Sequence, residues 1–190
     1  MESPTTHIRF LWFRFTLREG LLLAFCATFI VLTRAALRLH LGLPGHSMFF
    51  LTFFLLMARG CVPKIGAATL VGLISGLVAL MLGMTKAEPL VAVNFVLPAV
   101  IIDVASAIYP RMVTSYLACL IVGVAASTAR GVTGVAVDFL MGMETQIVVR
   151  HVLLTTASGA GFGAAGALLV PPVVRRLQAN RLVPSWKGEA

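Results

Sequence analysis

The side chains with chemical capacity in this sequence sit where lipid would be expected. Asn94 and Asp103 lie in the stretch LVAVNFVLPAVIIDVASAI, with Pro98 between them. Arg34 and Arg38 fall four residues apart near the end of an apolar run that starts at Gly20, and His46 opens the next run. Arg130, Asp138, Glu144, Arg150 and His151 punctuate the C-terminal third. Guanidinium forks and amide hydrogens suit recognition of carboxylate, phosphate or carbonyl oxygens, so this set points to binding of a small polar molecule. Covalent chemistry is harder to assemble. Ser158 lies in TASGAG rather than in a G-x-S-x-G turn, and His151, seven residues earlier on the same predicted helix, stands too far along the axis for a direct hydrogen bond. Cys26, Cys61 and Cys119 stand singly in apolar stretches, with no CxxC and no neighbouring His, and read as small core residues. No catalytic residue, metal site, disulfide or cofactor is expected.

The elements that must position these groups are set by composition. Of 190 residues 59% are hydrophobic and only 12% charged, and mean hydropathy is +0.98, whereas a water-soluble domain carries about a quarter charged residues. An all-α integral membrane protein is expected, because a span in lipid must satisfy its own backbone groups and the apolar runs are too long and continuous for barrel strands. The runs predict about six transmembrane helices in one bundle: 20–40, 46–58, 65–84, 90–108, 112–129 and 147–170. The Gly-rich segment 131–143 is too short to span and reads as a lid, a re-entrant turn or an extension of the fifth helix. Residues 1–19 form an interfacial segment whose RFLWFRF run continues into apolar sequence without a clean cleavage site, 20–170 the membrane domain, and 171–190 a basic tail. The net charge of +8 does not indicate nucleic acid, since the basic residues sit in the gaps between apolar runs rather than on a soluble face.

Those gaps also give orientation. With both termini cytoplasmic, the inner segments hold Arg9, Arg14, Arg18, Arg59, Lys64, Arg111, Arg175, Arg176, Arg181 and Lys187, against Arg38, Lys86 and Arg130 outside. Arg34, His46, Asn94, Arg130, Asp138, Glu144, Arg150 and His151 then gather on the outer side as a candidate substrate site. Taken singly, such residues also fit a bland role, snorkelling to headgroups. Asp103 lies nine residues beyond Asn94, about 13 Å deeper on the far face of a straight helix, and is expected to neutralise Arg59, Lys64 or Arg111. Pro98 is expected to free backbone carbonyls near the outer third of its helix. Small-residue stripes, Ala68–Gly72–Gly76 and two on the last helix (Gly159–Gly163–Ala167 and Ala157–Gly161–Ala165), allow backbones to approach closely.

The layout resembles the substrate-binding S components of energy-coupling-factor (ECF) transporters. The resemblance rests on length, six spans, basic ends, the block GHSMFFLTFFLLMARGCVPKIGAATLVGLISGLVALMLG and NFVLPAVIIDV, and covers roughly residues 18–176. It implies capture of a vitamin, a vitamin precursor or a similar micronutrient on the outer side of a bacterial cytoplasmic membrane. Delivery would follow docking on a membrane T component driven by two ATPase subunits, and this chain would bind no ATP. The family's small-xxx-small docking face on the first helix is matched in part by Ala24 and Thr28, with Ala27 beside them. The start MESP departs from the Met-His that opens the cobalt and nickel branch. The excess of arginine on the outer side favours a ligand with an anionic or strongly accepting group. The rival expectation is a structural or assembly subunit of another membrane complex, with no cavity between the first, fourth, fifth and sixth helices.

Overall fold

A computed structural model describes residues 15–40, 46–83, 90–140 and 145–180. Among the described residues six α-helices follow in chain order: α1 (Leu17–His40), α2 (Ser47–Cys61), α3 (Ala67–Met81), α4 (Leu90–Ile108), α5 (Tyr116–Leu140) and α6 (Thr145–Ala179), with a 3₁₀ turn, Pro110–Thr114, before α5. Among the described residues three stretches are long and apolar enough to cross a bilayer: Leu17–Ala36, Tyr116–Thr133 and Val152–Ala179. α2 and α3, at 15 residues each, are apolar but shorter than the roughly 20 residues a bilayer core requires.

The starts of α1 and α3 have local causes. α1 starts with a capping box: the Thr16 backbone N–H donates to Glu19 Oε2 at 2.7 Å, and the Glu19 N–H donates to Thr16 Oγ1 at 3.4 Å. Glu19 also meets Lys64 Nζ at 2.6 Å, tying the start of α1 to the turn after α2. In that turn Gly66 takes a left-handed φ of 93°, a conformation that favours glycine, and α3 begins at the next residue.

The N-terminus of α3 is capped from another helix. The carboxylate of Asp103, on α4, accepts from the Thr69 N–H at 2.7 Å, the Thr69 hydroxyl at 2.6 Å and the Ala68 N–H at 3.4 Å. It also lies 3.9 Å from Arg59 Nε on α2. That same Nε donates to Ser106 Oγ at 2.6 Å, Ser106 donates onward to the Asp103 carbonyl at 2.7 Å, and Arg59 Nη1 donates to the Val62 carbonyl at 3.1 Å. Arg59 and Asp103 are 3% and 4% exposed, so this network supplies the partners that two buried charges require. Of the three partners expected for Asp103, Arg59 is the one in place, while Lys64 pairs with Glu19.

Packing follows the small residues. α3 lies along α4, α5 along α6, α2 against α6, and α1 against α2 and α3. A Cβ added at Gly72 would stand 2.7 Å from Ala99 Cβ and 2.8 Å from the Phe95 carbonyl oxygen, so only glycine admits α4 at that distance. At Gly123 an added Cβ would meet Ala167 Cβ at 2.6 Å and the Gly163 carbonyl at 3.1 Å, which places the Gly163–Ala167 stripe inside the α5–α6 seam. The other stripe, Ala157, Gly161 and Ala165, is exposed. Leu55, Leu56, Val71, Phe95, Ile102 and Val170 fill the centre of the bundle. The three cysteines are free and buried.

The largest departures from the sequence reading are at the ends of the last two helices. The segment from Gly131 continues α5 as far as Leu140, the third of the alternatives it allowed. α6 continues past Val170 through Pro171 and Pro172 to Ala179. Val170 and Val174 on that stretch are fully buried, and Val174 packs on Gly60 of α2. Tertiary burial thus holds helical a segment that two prolines would end in isolation.

Candidate functional site

One end of the bundle gathers the C-terminal part of α1, the start of α2, the first half of α4 and the middle of α5. Arg34, on α1, sets its guanidinium carbon 4.5 Å from the centroid of the Phe95 ring on α4. Phe95 is fully buried, and a cation over a desolvated ring is held by about 2 kcal/mol. Asn94, the preceding residue, is half-buried and receives the Thr133 hydroxyl on its Oδ1 at 2.6 Å. Thr133 Oγ1 is also 2.8 Å from the carbonyl of Arg130, one turn earlier on α5. A hydroxyl has one hydrogen, so the bond to Asn94 and the bond to that carbonyl exclude each other at any instant. With Thr133 donating to the amide oxygen, Asn94 keeps its two N–H donors for another partner.

Arg130 is half-buried and directs Nη1 to Met48 Sδ on α2 at 2.7 Å. Met48 itself is buried and touches Gly159, so α6 closes the back of the cluster. Pro98 sits inside α4 and lacks the N–H that would bond the carbonyl of Asn94. Asn94 therefore offers a backbone acceptor beside its side-chain donors. Chemically, the cluster is two permanent cations, one amide edge and one released carbonyl around an aromatic wall.

Arg34, Asn94 and Arg130 of the expected set are brought together. His46 is half-buried at the residue before α2, with no side-chain cap bond to the helix. Arg150 is exposed on α6. Asp138 and His151 are described at backbone level only, on α5 and α6, and Glu144 lies outside the described residues, as do Lys86 and Glu88. Met48, Phe95 and Thr133 belong to the cluster and were not expected there. Thr133 follows Arg130 by three residues, the spacing that puts two side chains on one helical face, and this was the one available hint. Phe95 and Met48 looked like ordinary core residues. Asp103 sits nine residues along α4 from Asn94, in the separate Arg59 network.

The expected docking triplet is divided. Ala24 and Thr28 are exposed on α1 and joined by the Thr28 hydroxyl donating to the Ala24 carbonyl at 2.9 Å. Ala27 is 3% exposed and packs toward α3, where Ser75 Oγ donates to its carbonyl at 3.4 Å. Ala27 and Thr28 border an apolar groove of about 260 Å³ between α1 and α3, continued by Val31, Leu32, Ile74 and Val78.

No family model matches this sequence, and no curated protein matches it either. The fold does have a solved counterpart, a structure described as the crystal structure of an S-component of ECF transporter. It superposes with a TM-score of 0.59 over 88% of this chain and 88% of that chain, at 16% sequence identity. The two chains thereby share an all-helical fold, although only about one aligned residue in six is the same.

Proposed function

We propose that this membrane protein captures a small molecule, a vitamin, vitamin precursor or similar micronutrient, for uptake by an ECF-type complex. The observation that carries the reading is the convergence of Arg34, Asn94, Arg130 and Thr133 from α1, α4 and α5 at one end of an S-component fold. Polar groups placed there in spanning helices are costly unless they face a ligand, water or one another. The chain is read as multi-pass in a bacterial cytoplasmic membrane, with both termini inside by the Lys/Arg distribution and the cluster on the outer side. A membrane T component and two ATPase subunits would supply docking and ATP hydrolysis, and this chain would be a binding subunit rather than an enzyme. Ala24, Thr28 and the α1–α3 groove are the surface on which the T component is proposed to sit. His46, Asp138, Glu144, Arg150 and His151 remain proposed contributors to the rim of the site.

Uptake in the native host tests this reading. Cells lacking the chain should lose ATP-dependent accumulation of one compound from a radiolabelled vitamin and precursor panel. The wild-type gene should restore it and Asn94→Ala should not, with the variant present in the membrane at equal level. Unchanged uptake across the panel in the deletion strain would favour a structural subunit instead.

A further inference from the structure

We infer that this chain holds the phosphate of an anionic phospholipid where α4 passes into α5, seated on Arg175 of α6 with Arg111 of the 3₁₀ turn as a second cation. That end of the bundle is the one read as cytoplasmic from the Lys/Arg distribution, and it lies along α4 from the Asn94 cluster. The site is independent of whatever the cluster captures.

The geometry of Arg175 is the first argument. Its Nη2 donates to the Thr114 carbonyl at 2.8 Å, and its guanidinium carbon lies 5.2 Å from the centroid of the Tyr116 ring at the start of α5. A carbonyl and a ring orient a cation without neutralising it. A guanidinium carries five N–H donors, so most of the fork remains open after that one bond. In the turn itself the Thr114 hydroxyl donates to the Arg111 carbonyl at 2.9 Å, and at three residues per turn positions 111 and 114 are eclipsed. Arg111, exposed, therefore stands beside the residue that Arg175 touches.

Charge is the second argument. The carboxylates described toward this end, Glu19 and Asp103, are committed to Lys64 at 2.6 Å and to Arg59 at 3.9 Å. Among the described residues neither Arg111 nor Arg175 has an ion pair. An anion is the complement this turn lacks.

Depth says which anion. A stretch long and apolar enough to cross a bilayer begins at Tyr116, two residues after the turn. Ile108 and Tyr109 before the turn, and Tyr116 and Leu117 after it, are exposed. Aliphatic side chains left bare beside tyrosine rings fit a membrane interface, the former among acyl chains and the latter at headgroup level. An arginine held on one of those rings stands level with the lipid phosphates, whose oxygens its planar fork matches.

Native mass spectrometry of the full-length chain in detergent, titrated with phosphatidylglycerol or with phosphatidylcholine of the same acyl chains, tests the inference. The expected result is a preference of about tenfold or more for the first phosphatidylglycerol, falling about tenfold in Arg175→Gln, as loss of hydrogen bonds to a charged group implies. Arg111→Gln and Tyr116→Leu should each lower the preference by a smaller factor. Arg176→Gln removes the same charge about 100° further round α6 and should stay within about twofold of wild type. Arg175→Lys keeps the charge and loses the fork, so it should fall between, and it preserves the test if Arg175→Gln fails to elute as a single folded species. Equal binding of the two lipids by the wild-type chain would overturn the inference. So would an equal loss in Arg176→Gln and Arg175→Gln, which assigns the effect to diffuse charge, or undiminished lipid preference in Arg175→Gln, which leaves the turn to a protein partner.

Discussion

Asp103 serves two helices with one carboxylate. It accepts the exposed donors at the start of α3 through Thr69 and Ala68, and it neutralises Arg59 of α2 in a site where both are nearly inaccessible. Removing one member of a buried pair leaves the other charged and uncompensated, which costs about 3–5 kcal/mol. Asp103→Ala and Asp103→Asn both leave Arg59 uncompensated and are expected to lower the thermal unfolding temperature of the detergent-solubilised protein, Asp103→Ala further, because Asn keeps an acceptor for Thr69. Equal losses for the two would show that the uncompensated Arg59 charge sets the loss and that the acceptor for Thr69 contributes little. Thr133 makes a smaller claim of the same kind. Thr133→Val keeps shape but frees the Asn94 amide to rotate, so binding of an identified ligand should weaken about tenfold, roughly the worth of one hydrogen bond, with the unfolding temperature of the empty protein little changed.

At the level of the helices, glycine spacing decides which faces touch. Gly72 faces the backbone of α4 at Phe95 and Ala99, so Gly72→Ala should destabilise by about 1–3 kcal/mol, as overpacking does. At Gly161 nothing lies within 4 Å of an added Cβ, and Gly161→Ala should be neutral or stabilise by up to about 1 kcal/mol through helix propensity. Thermal unfolding of the two variants side by side checks both, and a loss at Gly161 would mean that its face is covered in the purified protein. These two glycines also mark where the sequence was readable. The apolar runs gave α1 and α4 nearly to the residue, and the Ala68–Gly72–Gly76 and Gly159–Gly163–Ala167 stripes correctly suggested close packing. They could not say that Ala157, Gly161 and Ala165 would be left exposed, because two small-residue faces look alike until a neighbour is assigned. The extension of α6 through Pro171 and Pro172 was hidden for a related reason: burial of Val170 and Val174 outweighs the local preference of proline. Arg34, Asn94 and Arg130 were legible because polar residues stand out in an apolar sequence. Met48 and Phe95 were not, since a thioether and a ring resemble core until a cation is placed against them.

For the whole molecule, capture and delivery are proposed to use different surfaces. The polar cluster joins α1, α4 and α5 in the interior, while Ala24, Thr28 and the α1–α3 groove lie on the outside. Thr28→Trp should fill that surface, abolishing ATP-dependent uptake in cells while leaving ligand binding by the purified chain within about twofold of wild type, since the substitution lies outside the cluster. Loss of both together would place the ligand against α1's outer face instead. Capture as proposed requires one property of the isolated chain, that it holds a substrate without ATP or partners. Thermal unfolding of the purified protein against a panel of vitamins and precursors reads that property directly. A ligand present at a hundred times its dissociation constant adds about 2.7 kcal/mol of stability. The account predicts one compound that raises the unfolding temperature accordingly, with the rise lost in Asn94→Ala. No rise for any compound of a broad panel, with the protein folded throughout, would contradict it.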